Sequence, residues 1–187
     1  MSSLHSLLSV LQRQHAHIGM LLSRVGDSSG TARHGAVADL LQYVALHESA
    51  EQTFMHPVAL KSVGDVAAVQ GRVVEEREIE AVITRLEGLD PASMDFMIYF
   101  GLLEEAMSGH TRAEENVEAR VLGAVPDHEL EHMARGIGLV DVWMDPAARL
   151  IGGSVASMPL RPGARDVGFS EMHRRSLEAF DAVFRLR

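Results

Sequence analysis

Two short motifs restrict the fold of this chain more than any other feature: His47-x-x-x-Glu51 and His110-x-x-x-Glu114. Residues four apart on an α-helix leave the same face. The apolar residues around each motif recur at alternating intervals of three and four, and each motif falls on that stripe. Val37, Leu40, Val44, His47, Glu51 and Phe54 form one stripe. Phe96, Phe100, Leu103, Met107, His110, Glu114, Val117 and Val121 form the other. Such periodicity marks bundle helices that bury one face. Imidazoles and carboxylates on the buried face must meet something that compensates them, because an unpaired charge in an apolar core is costly. The pattern therefore predicts helices packed around a polar centre.

The rest of the chain supplies the partners. A first helix over about Ser3–Val25 directs Leu4, Leu8, Leu11, His15, Ile18, Leu22 and Val25 inward, with His15 interrupting the stripe and His5 and His17 off it. Gly26-Asp27-Ser28-Ser29-Gly30 breaks the chain before the second helix, about Arg33–Met55, which ends near Pro57. His56, nine residues past His47, is expected to face outward. A third helix, from an Asp65 cap to about Gly88, carries Val66, Val69, Val73, Ile79, Ile83 and Leu86, with Glu76 on the same face and Glu80 nearly so. A fourth opens after Asp90-Pro91 with Ser93 as cap and reaches about Leu122. The fold class is all-α: an up-down-up-down four-helix bundle over 1–124 with a C-terminal helical extension over 125–187. In the extension, Asp127–Trp143 reads as one helix, the Gly/Pro-rich 145–168 as an irregular strap, and Ser170–Leu186 as an amphipathic helix carrying Phe169, His173, Leu177, Phe180 and Phe184. That face is too apolar for water and is expected to pack on the bundle or on a second copy, forming a homodimer in the latter case.

Composition removes several functions. A net charge of −9 disfavours nucleic acid and acidic membrane surfaces, and no apolar run is long enough to span a bilayer. No signal-peptide pattern opens the chain, so the expected location is the cytoplasm. Absence of cysteine excludes thiolate ligands and nucleophiles. What remains is a set of inward groups, His15, His47, Glu51, Glu76, His110 and Glu114, with no inward lysine or arginine to neutralise the acids. Imidazole and carboxylate together suit a first-row metal such as iron or manganese, and several buried acids call for two cations. Glu80 is the alternative to Glu76 on the third helix. Tyr43, one turn before His47, reads either as a core-edge residue or as a hydrogen-bonding or redox-active group near the metals.

The ordered set Gln14-His15-Ala-His-Ile18-x-x-Leu21-Leu22, His47-x-x-x-Glu51 with Phe54 and Pro57, and His110-x-x-x-Glu114-Glu115 resembles the hemerythrin-like HHE cation-binding domain over about residues 5–122. The resemblance implies a non-haem di-iron centre in which His15, His47 and His110 are terminal ligands and Glu51 and Glu114 bridge. Its members include oxygen carriers, oxygen or redox sensors, iron-handling proteins, peroxide-decomposing proteins and oxidative enzymes. This chain departs from the pattern on the third helix, where Glu75-Glu76-Arg77-Glu78-Ile79 stands in place of a histidine-bearing segment such as Glu-His-Arg-Glu-Val. Met55-His56-Pro57 replaces the usual aromatic-Pro, and no proline follows the fourth-helix motif. A carboxylate in place of imidazole stabilises oxidised metal. The expectation is therefore oxidase, oxygenase or peroxidase/catalase-like chemistry on dioxygen or peroxide, with room for a small-molecule substrate. The runner-up is a non-enzymatic dioxygen or nitric oxide carrier or sensor, or an iron-handling protein.

Overall fold

The computed structural model describes residues 2–63, 66–145 and 167–185, and every element among them is a helix. The Asp65 cap and the 146–166 connection lie outside the described residues, as do the side chains of Val66, Val69, Val117 and Val121. Helix α1 spans Ser3–Asp27, α2 Gly30–Phe54, α3 His56–Val63, α4 Val66–Glu87 and α5 Met94–Leu122. In this four-helix bundle α1 packs on α2 and α5, and α4 packs on α5. The Ser93 hydroxyl accepts from the Phe96 amide at the start of α5. No described helix is long and apolar enough to cross a membrane.

Beyond the bundle lie α6 (Asp127–Ile137), α7 (Leu139–Met144) and α8 (Phe169–Arg185). The expected single helix over Asp127–Trp143 is broken at Gly138, which caps α6 and starts α7. Helix α6 lies on α1 and α2, α7 on α2, and α8 on α2 and α4. These additions change which faces are interior. The stretch Tyr43–Glu51 of α2 is buried on every side, because the bundle covers one face and α7 and α8 the other. On α1, Leu7, Gln14 and Leu21 are buried beside the expected stripe, with α6 packed on α1 and its Ile137 carbonyl bonded to Gln14, while Leu4 and Leu8 are only partly buried.

The final helix buries Phe169 and Phe180 of the expected face and adds Met172 and Ser176 to them, whereas His173 and Leu177 are half-buried and Phe184 is 46% exposed. Phe180 packs against Trp143 and Phe54 with ring centroids at 4.6 and 5.8 Å. Each such ring, fully buried, stabilises the assembly by roughly 2 kcal/mol through removal of apolar surface from water. Helix α8 is tied to its neighbours by polar bonds as well: the Phe169 amide donates to Glu87 Oε1 (2.6 Å) and the Ser170 hydroxyl to Glu80 Oε1 (3.0 Å). Gly136 permits the close approach of α6, since a Cβ there would meet the Phe54 ring at 2.5 Å.

Candidate metal centre

The two motifs meet inside the bundle. His15, His47, Glu51 and Glu114 each offer a donor atom, all within 4.8 Å of one another, and Glu48, Glu51 and His110 form a second such set. His15 Nε2 lies 3.3 Å from Glu114 Oε2 and 4.0 Å from Glu51 Oε1. His47 Nε2 is 3.4 Å from Glu51 Oε1. His110 Nε2 is 3.0 Å from Glu114 Oε1 and 3.6 Å from Glu48 Oε1. Glu51 belongs to both sets, and Glu114 reaches a histidine of each with a different oxygen. None of these six residues is more than 6% exposed.

All three imidazoles are oriented alike. Each turns Nε2 into the cluster and Nδ1 towards an oxygen outside it. His47 Nδ1 lies 3.0 Å from Gln14 Oε1, His110 Nδ1 3.2 Å from Glu75 Oε2, and His15 Nδ1 3.5 Å from Glu115 Oε1. An acceptor at Nδ1 places the ring proton there and leaves the Nε2 lone pair for the centre, the usual arrangement of a metal-binding histidine. Gln14 Nε2 in turn donates to the Ile137 carbonyl (3.0 Å), and Glu75 pairs with Arg72 at 2.9 Å. Residues of α1, α4 and α5 that stand outside the donor sets therefore set the tautomers within them.

Charge is the unresolved quantity inside. Three carboxylates, Glu48, Glu51 and Glu114, share an interior in which Arg72 is engaged one layer out with Glu75 and the His110 carbonyl. Neither oxygen of Glu48 accepts a hydrogen bond, although both are buried. Burial pushes its carboxyl up to about 8, with the Glu114 and Glu76 charges adding to the rise against the pull of His110. Burial also disfavours the charged form of His110, but its hydrogen bond to Glu114 and the charges of Glu48 and Glu114 outweigh that and raise it to about 10. His47, fully buried beside His15, falls to about 3. Burial acts against ionised Glu114 too, yet hydrogen bonds from His110 and His15 hold it well below the usual carboxylate range. Protons alone thus distribute unevenly over the cluster. Divalent cations fit the same donors, neutralising the acids and giving the orphaned Glu48 oxygens a partner.

Five of the six residues singled out in the sequence are brought together here: His15, His47, Glu51, His110 and Glu114. Glu76 stands beside the cluster and outside both donor sets. Its carboxylate accepts from Gln52 Nε2 (2.7 Å) and faces His56 Nε2 at 3.2 Å. Glu48 joins Glu51 and His110 in the second donor set. The outward placement expected for His56 is corrected: it lies one helical turn past Gln52, and both meet Glu76 because α4 runs past that side of α2 and α3. Glu80 accepts from Ser170. Tyr43 is core, 2% exposed, and its hydroxyl donates to Asp141 Oδ1 of α7 at 3.0 Å. Burial and the Asp141 charge raise its phenol above the usual range.

Glu48, Gln14 and Glu75 were not among the expected functional residues. Gln14 had a signal, since Leu7, Gln14 and Leu21 recur at intervals of seven as a second buried row on α1. Glu48 had a faint one: it lies four residues past Val44 and three before Glu51, the same spacing as its neighbour His47 in reverse order, and the structure turns it into the donor set with Glu51 and His110, beside the cavity that α8 closes.

Compared with family models, the chain matches the hemerythrin HHE cation binding domain over residues 6–122. No curated protein and no solved structure matches it.

Proposed function

Because this chain belongs to the hemerythrin HHE cation-binding domain family, we propose that its buried cluster holds two iron ions, with manganese as the alternative, and reacts with dioxygen or peroxide. One ion is assigned to His15, His47, Glu51 and Glu114 and the second to Glu48, Glu51 and His110, with Glu114 reaching both. Glu76 acts from one layer out, through its neighbour Glu48. Residues 1–124 form the metal-holding unit, and α6, α7 and α8 of the 125–187 extension cover it. A cytoplasmic setting, where electron donors are at hand, suits this chemistry.

Bound metal supplies Lewis acidity and electrons to a small oxygen species. The chain's own residues do the remainder. Gln14, Glu75 and Glu115 hold the three imidazoles in one tautomer, and the packed helices keep bulk water from the donors. The carrying observation is the third buried carboxylate, Glu48, with no hydrogen bond to either oxygen. An anionic donor set favours oxidised metal, and so favours oxidase, oxygenase or peroxidase/catalase-like turnover over release of intact dioxygen. The second reading, a dioxygen or nitric oxide carrier or sensor or an iron-handling protein, draws on the closure of the site, whose donors are almost inaccessible to solvent.

The test is metal analysis of iron-reconstituted protein, expected to give two ions per chain, followed by stopped-flow mixing of the reduced protein with oxygenated buffer. Irreversible consumption of dioxygen supports the enzyme, and a stable adduct that releases dioxygen on deoxygenation supports the carrier. A folded protein that takes up no metal overturns both.

A further inference from the structure

A cavity of about 360 Å³ opens between α2, α4 and α8, directly beside the cluster. Glu48 lines it, 97% buried by its 3% exposure and without a hydrogen bond at either oxygen. The same carboxylate therefore belongs to the central donor set and to the cavity. Around it stand Glu76 and Glu80 of α4, His56 of α3 and His173 of α8, with the exposed Arg77 among the lining residues. His56 Nε2 and Glu76 Oε1 already lie 3.2 Å apart. His173 Nε2 is buried and makes no hydrogen bond. Burial holds that imidazole below its ordinary pKa, in the neutral form that ligates metals.

The lining chemistry selects the occupant. Three carboxylates against one guanidinium repel anions and attract cations. Carboxylate and neutral imidazole together favour a divalent first-row metal. Such an ion has a reason to be there, since the central donors are no more than 6% exposed and a cation must reach them through some opening.

We infer that this cavity is the loading site through which a divalent first-row metal cation enters the centre, held first by His56, Glu76, Glu80 and His173 and handed inward by Glu48. The inference rests on the metal centre proposed above. Among the described residues, only the two central sets bring three donors within 4.8 Å of one another. The donors of the cavity are more widely spread, as befits a site that passes its ion on to a tighter one. His173 belongs to α8, outside the residues 6–122 that match the family. The loading route thus draws one of its ligands from the C-terminal extension.

The experiment follows Co²⁺ uptake by full-length, metal-free protein in a stopped-flow spectrometer, with the end point read by elemental analysis. His173→Ala and Glu80→Gln are compared with wild type, each checked for helical content by circular dichroism. Glu80→Gln keeps an acceptor for Ser170 and carries the test if His173→Ala does not fold. Filling is expected to slow about tenfold, the low end of what partners outside the ligand shell contribute to metal binding, while the end-point stoichiometry stays that of wild type. Variants that fill at the wild-type rate overturn the loading route and leave the centre standing. A reduced end point shows a resident ion in the cavity, which also overturns it. Wild-type protein that binds no Co²⁺ defeats the proposed centre itself.

Discussion

Gln14 and His47 share a 3.0 Å contact in which the ring Nδ1–H of His47 donates to the amide oxygen, and the amide nitrogen of Gln14 donates onward to the Ile137 carbonyl at the end of α6. A backbone carbonyl of the extension therefore fixes the flip of the Gln14 amide, and through it the tautomer of a central imidazole. Gln14→Leu preserves size and removes both bonds. It should weaken metal binding by about 10- to 100-fold, the usual scale for such outer partners, while Gln14→Glu should retain most of the affinity. Competition with a coloured chelator measures this, and equal affinities in all three proteins would show that the relay is only structural.

Glu48 and Glu76 divide a role that the sequence assigned to Glu76, with Glu80 as its alternative. Glu48→Gln removes a charge from the second donor set and should leave one tightly bound ion per chain in place of two. Glu76→Gln should keep the equilibrium content of wild type, because its carboxylate is engaged with Gln52 and His56. Elemental analysis after exhaustive desalting separates the two. The reverse pattern would return Glu76 to the ligand set.

Metal-free protein should lose stability as pH rises above neutrality. The Glu48 carboxyl goes from an ordinary 4.5 to about 8 on folding, so its stabilising contribution is full below 4.5 and gone once pH passes 8. His110 goes from 6.5 to about 10, and its contribution is full below 6.5 and lost by 10. His47, lowered to about 3, has the opposite sign and costs stability as pH falls from 6.5 towards 3. The opposing slopes offset one another between 4.5 and 6.5, and the two raised groups act together from 6.5 upward. Thermal melts across that range should fall for the metal-free protein and hold steady for the loaded one, where cations replace the protons. A metal-free melting temperature that rises between pH 6.5 and 8 would contradict the assignment.

Phe180 joins α8 to the bundle through Trp143 and Phe54 and is fully buried. Phe180→Ala should cost about 3–5 kcal/mol in chemical denaturation. Removal of residues 145–187 should uncover the side of α2 on which α8 lies, around Ser49 and Phe54, and increase binding of a hydrophobic dye. A truncated protein with unchanged stability and no added dye binding would mean that α8 is dispensable to the fold.

The sequence by itself determined the bundle and the inner ligands. Periodicity in threes and fours placed His15, His47, Glu51, His110 and Glu114 on buried stripes, because burial against one neighbouring layer writes a repeat that can be read along the chain. The tertiary structure decided what a second layer covers. Glu48 is fully enclosed because α8 closes the cavity beside its donor set, Gln14 because α6 lies on α1, and His56 meets Glu76 because α4 runs past the side of α2 and α3 that carries Gln52 and His56. A helix covered on two sides leaves no period to read. The third central carboxylate, the bond that orients His47 and the acidic cavity beside them all depend on contacts between helices far apart in the chain, which no local spacing encodes.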